Sequence, residues 1–343
     1  MIKAGVIGAT GYAGVELVRL LLNHPSVELA RVSSVSFSGK EISDIYPGLR
    51  PSCNLILDDG HEQMLDECDV IFASLPHGHS QEIAEECVER GILFIDLGAD
   101  FRLENESDYE IWYEGKFNNP ELHREAVYGL CELNRADIKG AKLIANPGCY
   151  PTSIALALYP VLKNGLIDKK NIIIDSKSGI TGAGRGLSLS THYPESNEAF
   201  TAYKAGQHRH TPEIEQMLSK ISKARVKVTF VPHLLPVNRG ILSTIYCEMT
   251  ADYATIRKAF EECYKNEPFV SVLKEGEYAN IKNVKLTNCC HISLHRDSHT
   301  NKLIICSAID NMVKGAAGQA VQNMNIIFRI DETEGLPLVA PAF

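Results

Sequence analysis

At 343 residues, with 45% hydrophobic and 22% charged side chains and a formal charge of −9, the chain has the length and apolar content for two cored domains. The negative balance argues against a general nucleic-acid binder, which needs clustered Lys and Arg, and no run approaches the ~20 apolar residues that span a bilayer. Ten scattered cysteines without a C-x-x-C pair argue against a disulfide framework or a metal site, and with no secretory leader ahead of the first strand they predict a cytoplasmic protein without membrane or nucleic-acid partners.

Residues 2–7 read as a core strand and run into Gly8-Ala9-Thr10-Gly11-Tyr12-Ala13-Gly14. A helix with apolar Val15, Val18, Leu21 and Leu22 follows and stops at His24-Pro25, where proline forbids continuation. Further strands are predicted over 27–35, 70–73, 93–95 and 143–145, with a helix over 81–90. The last of these strands enters Asn146-Pro147-Gly148-Cys149, ahead of a helix over 151–162. This alternation predicts a Rossmann-type, doubly wound parallel sheet. Beyond it the strands lengthen (172–174, 226–230, 240–249, 283–294, 303–309) and helices thin out, which predicts an inserted α+β domain with a mixed or antiparallel sheet. The stretch 311–328 returns to helix and is expected to pack back on the first domain. No internal repeat or low-complexity segment is present.

The glycines at the first strand–helix junction let backbone approach a pyrophosphate seated on a helix N-terminus, which puts Gly8, Thr10, Gly11 and Tyr12 at a dinucleotide. Their G-x-x-G-x-x-G spacing alone is weak, and an ordinary tight turn is the alternative. A site for NAD would carry an acid on the ribose about 20 residues on. Here the strand end from Arg31 carries no acid until Glu41, and Ser34, Ser36 and Lys40 suit the 2′-phosphate of NADP; a solvated serine-rich loop is the alternative.

Cys149 follows a strand end and a Pro-Gly turn just ahead of a helix. There the dipole and unpaired N–H groups stabilise a thiolate, although a buried structural cysteine is the common alternative. A partner could come from His208-Arg209-His210-Thr211-Pro212-Glu213. Thr211 would cap a helix, Pro212 would take its first position and Glu213 would fall in its first turn, leaving both histidines in the loop before it. Arg102, past the end of a parallel strand, and Arg239, in Pro232–Gly240, fit an anionic substrate, or else pair with surface carboxylates.

Taken together, these segments resemble the N-acetyl-gamma-glutamyl-phosphate reductase family. The resemblance rests on Gly8 to Arg19, Leu97-Gly98-Ala99-Asp100-Phe101-Arg102, Asn146-Pro147-Gly148-Cys149-Tyr150-Pro151-Thr152 and Ser178-Gly179-Ile180-Thr181-Gly182-Ala183-Gly184-Arg185. It extends through His208 to Glu213, Pro232 to Gly240 and Asp310 to Gln319, in the family's order and across essentially the whole chain. It implies an NADP-binding domain (1–148), a catalytic, substrate and oligomerisation domain (149–310), and a C-terminal helix (311–343) returning to the first, in a homodimer or homotetramer. It makes Cys149 the thioester-forming residue and His210 its partner, oriented by Glu213 with His208 nearby. It lays Ser178, Gly179, Gly182 and Asn311 along the cofactor.

The implied reaction is NADPH-dependent reduction of an acyl phosphate, N-acetyl-gamma-glutamyl phosphate, to the semialdehyde in arginine biosynthesis. The alternatives are a carrier-protein-linked aminoadipyl phosphate, N-succinylglutamyl phosphate or aspartyl phosphate as substrate, or an NADP-binding sensor without turnover.

Overall fold

Strand β1 (Ile2–Ile7) lies inside a seven-stranded sheet in the computed structural model, which describes residues 1–342. The other strands are β2 (Val27–Ser33), β3 (Leu57–Asp58), β4 (Val70–Ala73), β5 (Leu93–Asp96), β6 (Val127–Tyr128) and β7 (Leu143–Ala145). Their order is β3-β2-β1-β4-β5-β7-β6, and every pairing is parallel. Parallel strands joined by helical crossovers are covered on both faces and so read as continuous apolar runs. Val70–Ala73 and Leu93–Asp96 are buried at every position. Ile71, Phe94, Met64 and Cys87 pack into one core cluster there. The strand order reverses between β1 and β4, so the carboxyl end of β1, where the glycine loop leads into helix α1 (Tyr12–Leu21), is the topological switch point.

The chain divides into two units, Met1–Pro147 with Ala316–Leu336, and Gly148–Gly315 with the tail from Pro337. The second is built on another seven-stranded sheet: β8 (Ile172–Gly179), β9 (Thr201–Ala202), β10 (Val228–Leu235), β11 (Ile241–Glu248), β12 (Val270–Val272), β13 (Cys290–Asp297) and β14 (Lys302–Ile309), in the order β12-β13-β14-β11-β8-β10-β9. Parallel pairs (β8 with β10, β12 with β13) and antiparallel pairs make it mixed, as expected from the sequence. Helices α2 (Cys149–Lys163), α3 (Thr211–Ser222) and α4 (Tyr253–Tyr264) belong to this unit. Alternate residues of β11 are buried, as a sheet covered on one face requires.

Between α2 and the sheet the contact is partly polar. Ser153 bonds Ser243 (3.0 Å) and Ser307 (3.1 Å), Ser176 bonds Ser243 (2.8 Å), and the Cys290 thiol lies 3.4 Å from the Ser307 hydroxyl. All five side chains are buried, in a row that crosses β8, β11, β14 and β13.

The closing helix α5 (Gly318–Phe328) belongs to the first unit and packs on α1 and on the helix Cys131–Ile138. Asn323 donates to the Gly129 carbonyl (2.8 Å) and to the Asn146 side chain (3.2 Å), and Asn325 meets His24 (3.0 Å).

Three local expectations are corrected. The strand predicted over 283–294 begins only at Cys290. Ahead of it lie a 3₁₀ turn (Ile281–Asn283) capped by the Asn280 side chain and a left-handed Leu286 (φ 63°), which together break any extended run. Thr211 does not cap its helix but is the first helical residue, with His210 at the cap position, so Pro212 falls one position further in than expected. The helix expected after Cys149 begins at Cys149 itself, with Gly148 as cap.

Candidate active site

In the first unit, the glycine loop is shaped by contacts that no side chain could share. Gly8 has φ +74°, and a Cβ there would stand 2.4 Å from the Ser74 carbonyl oxygen. A Cβ on Gly14 would fall 2.1 Å from the Gly8 carbonyl oxygen, so strand and helix approach each other only because this residue is bare. Gly11 is less constrained, its nearest contact being 3.4 Å, and it caps α1 with extended backbone. No side chain caps α1 and no acid occupies its first turn, which suits its end to an anion.

Thr10 is tied to the end of β2 by a 2.6 Å bond between its hydroxyl and that of Ser34, both buried, and its carbonyl accepts from the Tyr46 hydroxyl (2.9 Å). Ser36 and Lys40 are exposed, the ammonium standing 5.8 Å from the Phe37 ring centroid, and Tyr12 is half-exposed. Thus Ser34 braces the loop while Ser36 and Lys40 stay open to solvent.

Arg102 is buried, and its guanidinium serves the backbone: Nε donates to the Asn146 carbonyl (2.8 Å) and Nη2 to the Leu97 carbonyl (2.7 Å). Beside it lies a carboxylate pair that sequence reasoning missed. Asp100 accepts from the Gly78 and Ser80 N–H groups (2.6 and 2.9 Å) and from the Tyr109 hydroxyl (2.8 Å). Asp96 accepts from the Ser80 hydroxyl (2.8 Å) and the Gly98 N–H (2.9 Å). Full burial, with the Asp100 charge next to it, holds the Asp96 carboxyl well above the ordinary carboxylate range. Both fix the loops that leave β4 and β5.

In the second unit, Cys149 is the first residue of α2 and is partly exposed, whereas seven other cysteines are buried. Burial pushes the thiols of Cys87 and Cys247 up to about 12 and those of Cys68 and Cys263 to about 11, so these are poor nucleophiles. The turn before Cys149 is held by Glu213, fully buried in the first turn of α3, whose Oε1 accepts from the Gly148 N–H (2.8 Å). Thr152 closes the first turn of α2 by donating its N–H and its hydroxyl to the Gly148 carbonyl (3.0 and 2.9 Å).

The loop that carries the histidines is a tight turn, in which the Thr211 N–H reaches the His208 carbonyl (2.8 Å). His208 Nδ1 accepts from the His210 N–H (3.1 Å), so its proton sits on Nε2, which faces the Tyr203 hydroxyl at 3.4 Å. Tyr203 in turn meets the Tyr150 hydroxyl (3.1 Å), next in sequence to Cys149. Burial, then the charges of Arg209 and Lys204, push His208 down to about 4, so this imidazole is neutral near pH 7. The rings of His208 and His210 lie 4.9 Å apart, and His210 packs edge-on to Tyr150 (6.0 Å). The structure therefore gathers Tyr150, Tyr203, His208 and His210 in one cluster, and places Glu213 on the backbone of Gly148, the residue before Cys149. Neither tyrosine was singled out from sequence.

The remaining predicted residues form a second group in this unit. Asn311 accepts from the Gly240 N–H (2.8 Å) and donates to the Thr181 hydroxyl (3.0 Å), pinning the 178–184 loop. Ser178 is buried, a Cβ on Gly179 would meet the Asn238 carbonyl oxygen at 2.6 Å, and one on Gly182 the Ser178 hydroxyl at 3.3 Å. Arg239 reaches buried Asp310 at 3.4 Å. Among the described residues, no group of three or more His, Cys, Asp or Glu is placed to hold a metal ion, and no helix is long and apolar enough to cross a membrane.

A parallel-sheet unit with a glycine loop and a mixed-sheet unit with a helix-start cysteine define the class, and comparison with known proteins agrees. Residues 3–141 match the family model for the NAD-binding domain of semialdehyde dehydrogenases, and residues 149–311 match that for their dimerisation domain. A solved aspartate semialdehyde dehydrogenase II from Vibrio cholerae superposes with a TM-score of 0.74 over 96% of this chain and 99% of its own, at 16% identity. N-acetyl-gamma-glutamyl-phosphate reductases are similar along their whole length: that of Clostridium beijerinckii is 59% identical and that of Brachyspira hyodysenteriae 57% identical, each over 100% of both chains. The chain belongs to the N-acetyl-gamma-glutamyl-phosphate reductase family.

Proposed function

We propose that this chain reduces N-acetyl-gamma-glutamyl phosphate to N-acetylglutamate 5-semialdehyde with release of phosphate, using NADPH, in the arginine pathway of the cytoplasm. The observation that carries the reading is Cys149, a partly exposed thiol on the first residue of a helix whose cap is fixed by a buried carboxylate. The first unit is the cofactor domain. The second performs the chemistry and supplies the contacts of a homodimer or homotetramer.

The glycine loop fits the cofactor's pyrophosphate, since bare Gly8 and the uncapped start of α1 leave room and N–H groups for it. Ser36 and Lys40 receive the 2′-phosphate, Thr10 and Ser34 brace the loop with Gly11 and Tyr12, and Ser178, Gly179, Gly182 and Asn311 shape the wall along the nicotinamide half. Bound there, the cofactor supplies the hydride.

Every other task falls to the chain. The Cys149 thiolate attacks the acyl carbon, the C–O bond to phosphate breaks, and a thioester forms as phosphate leaves. After reduction the hemithioacetal oxyanion collapses, the C–S bond breaks, the aldehyde departs and the thiolate is restored. N–H groups of the first turn of α2 stabilise the oxyanion. His210 holds the proton exchanged with the thiol. Neutral His208 accepts the His210 N–H and fixes the turn, and Glu213 fixes Gly148. Arg239 meets a substrate carboxylate. Arg102, with two nitrogens on backbone carbonyls, serves the substrate by holding its loop.

The test is the reverse reaction: purified protein, the N-acetyl semialdehyde and phosphate, with NADP⁺ or NAD⁺, followed by reduced-cofactor absorbance. Turnover is expected with a kcat/KM preference for NADP⁺, and Cys149→Ser is expected to lose at least ~10³-fold while still binding cofactor. Turnover with aspartate semialdehyde instead would overturn the substrate reading. A NAD⁺ preference would overturn the role given to Ser36 and Lys40.

A further inference from the structure

Asp310 directly follows β14 and is fully buried, and both of its carboxylate oxygens are engaged. Oδ1 accepts from the N–H groups of Met312 (2.8 Å) and Val313 (3.1 Å) and lies 3.4 Å from Arg239 Nη1, while Oδ2 accepts from the Leu286 N–H (2.7 Å). Its carbonyl accepts from the Gly315 N–H (3.0 Å), five residues on, which begins the π-helical turn Val313–Ala317. Such turns are rare and recur at functional sites. This one carries Gly315 onto the nucleophile candidate: a Cβ at 315 would stand 2.8 Å from Cys149 Cβ and 3.2 Å from its Cα. Real Cβ atoms do not approach so closely, and here both neighbours are short and attached to backbone. The gap left by the missing side chain is the space Cys149 occupies.

We propose that Gly315, anchored by Asp310, is a positioning residue for the reaction. It fixes where the Cys149 Cβ stands, and hence where the sulfur meets the acyl carbon. The proposal rests on Cys149 being the nucleophile. The position lies in a helical turn and outside the positive-φ region, where Gly→Ala normally stabilises by restricting the unfolded chain. Contact with Cys149 reverses that sign, and the reversal can be measured without turnover.

Gly315→Ala is expected to lower kcat by roughly 10²-fold with KM changed less than about threefold, because an ångström of misplacement at the reacting atom costs about that much. Alkylation of Cys149 by iodoacetamide, read by mass spectrometry, should change by at least about tenfold in rate. Gly315→Ala should also lower Tm by roughly 3–6 °C in the wild-type background, and leave it unchanged or raised in the Cys149→Gly background, where the colliding Cβ is gone. Asp310→Asn should shift kcat and alkylation in the same direction, and add little to Gly315→Ala.

Equal Tm losses from Gly315→Ala in both backgrounds would overturn the contact. Wild-type kcat and alkylation in Gly315→Ala, or full additivity with Asp310→Asn, would overturn the positioning role. Activity retained by Cys149→Ser would instead overturn the nucleophile reading, leaving the outcome of the Tm comparison to stand by itself.

Discussion

His208→Asn separates a proton-carrying histidine from a positioning one. Asn in this place offers its side-chain oxygen where Nδ1 now accepts the His210 N–H, so the turn is kept as an Asx turn. What it removes is a group that is neutral when folded and titrates when unfolded. The folded value of about 4 lies below the ordinary 6.5, so between these the folded protein binds fewer protons and loses stability as pH falls. At about 1.4 kcal/mol per pH unit, the full interval corresponds to roughly 3 kcal/mol below pH 4, and about 2 kcal/mol is already lost at pH 5. Urea unfolding of wild type and His208→Asn at pH 7 and pH 5 measures this directly, because the other titrating groups cancel in the difference. Wild type should lose about 2 kcal/mol more than the variant on that step. Parallel losses in the two proteins would mean that His208 is not held neutral, and would return it to the list of groups that exchange protons with substrate.

His210→Ala should slow iodoacetamide alkylation of Cys149 near pH 7 and cut turnover by roughly 10²–10⁴-fold, with His208→Asn nearer wild type in alkylation; the reverse ranking would exchange the two roles. Gly14→Ala drives a Cβ against the Gly8 carbonyl oxygen, so it should destabilise the protein by about 2 kcal/mol or more and weaken nicotinamide binding in a fluorescence titration. Unchanged affinity would show that the loop does not hold the cofactor.

The parts of the molecule legible in sequence are those where local geometry dictates residue type. A parallel strand buried on both faces, such as Val70–Ala73, announces itself as an unbroken apolar run, and the Gly8–Gly14 loop as glycines placed at the first strand–helix junction. The helix after Cys149 was legible from its apolar content, though Cys149 proved to lie inside it. Tyr203 was not legible, because its bond to Tyr150 joins positions 53 residues apart. Asp310 was hidden similarly: its partners come from 239, 286 and its own turn, three stretches that only the folded sheet brings together. Leu286, with its left-handed backbone, defeated the strand predicted over 283–294, since nothing in an apolar alternation reports the sign of φ.

The row of hydroxyls beneath α2 bears on how this site tolerates change. Aliphatic side chains grip a helix without direction, so a helix seated on them can slide or roll a fraction of a turn at small cost. Ser153 instead meets two strands at once through Ser243 and Ser307, and Ser176 and Cys290 extend the row to four strands. Each such bond contributes only about 1 kcal/mol, but buried partners stripped of it cost more, and any axial slip breaks several together. The helix therefore has one seating and no near neighbours to it. Cys149 is four residues, about one turn, from Ser153 and inherits that seating. Random variation in the second unit should accordingly abolish activity in steps at Ser153, Ser243 and Ser307, while hydrocarbon positions further along α2 shade it gradually.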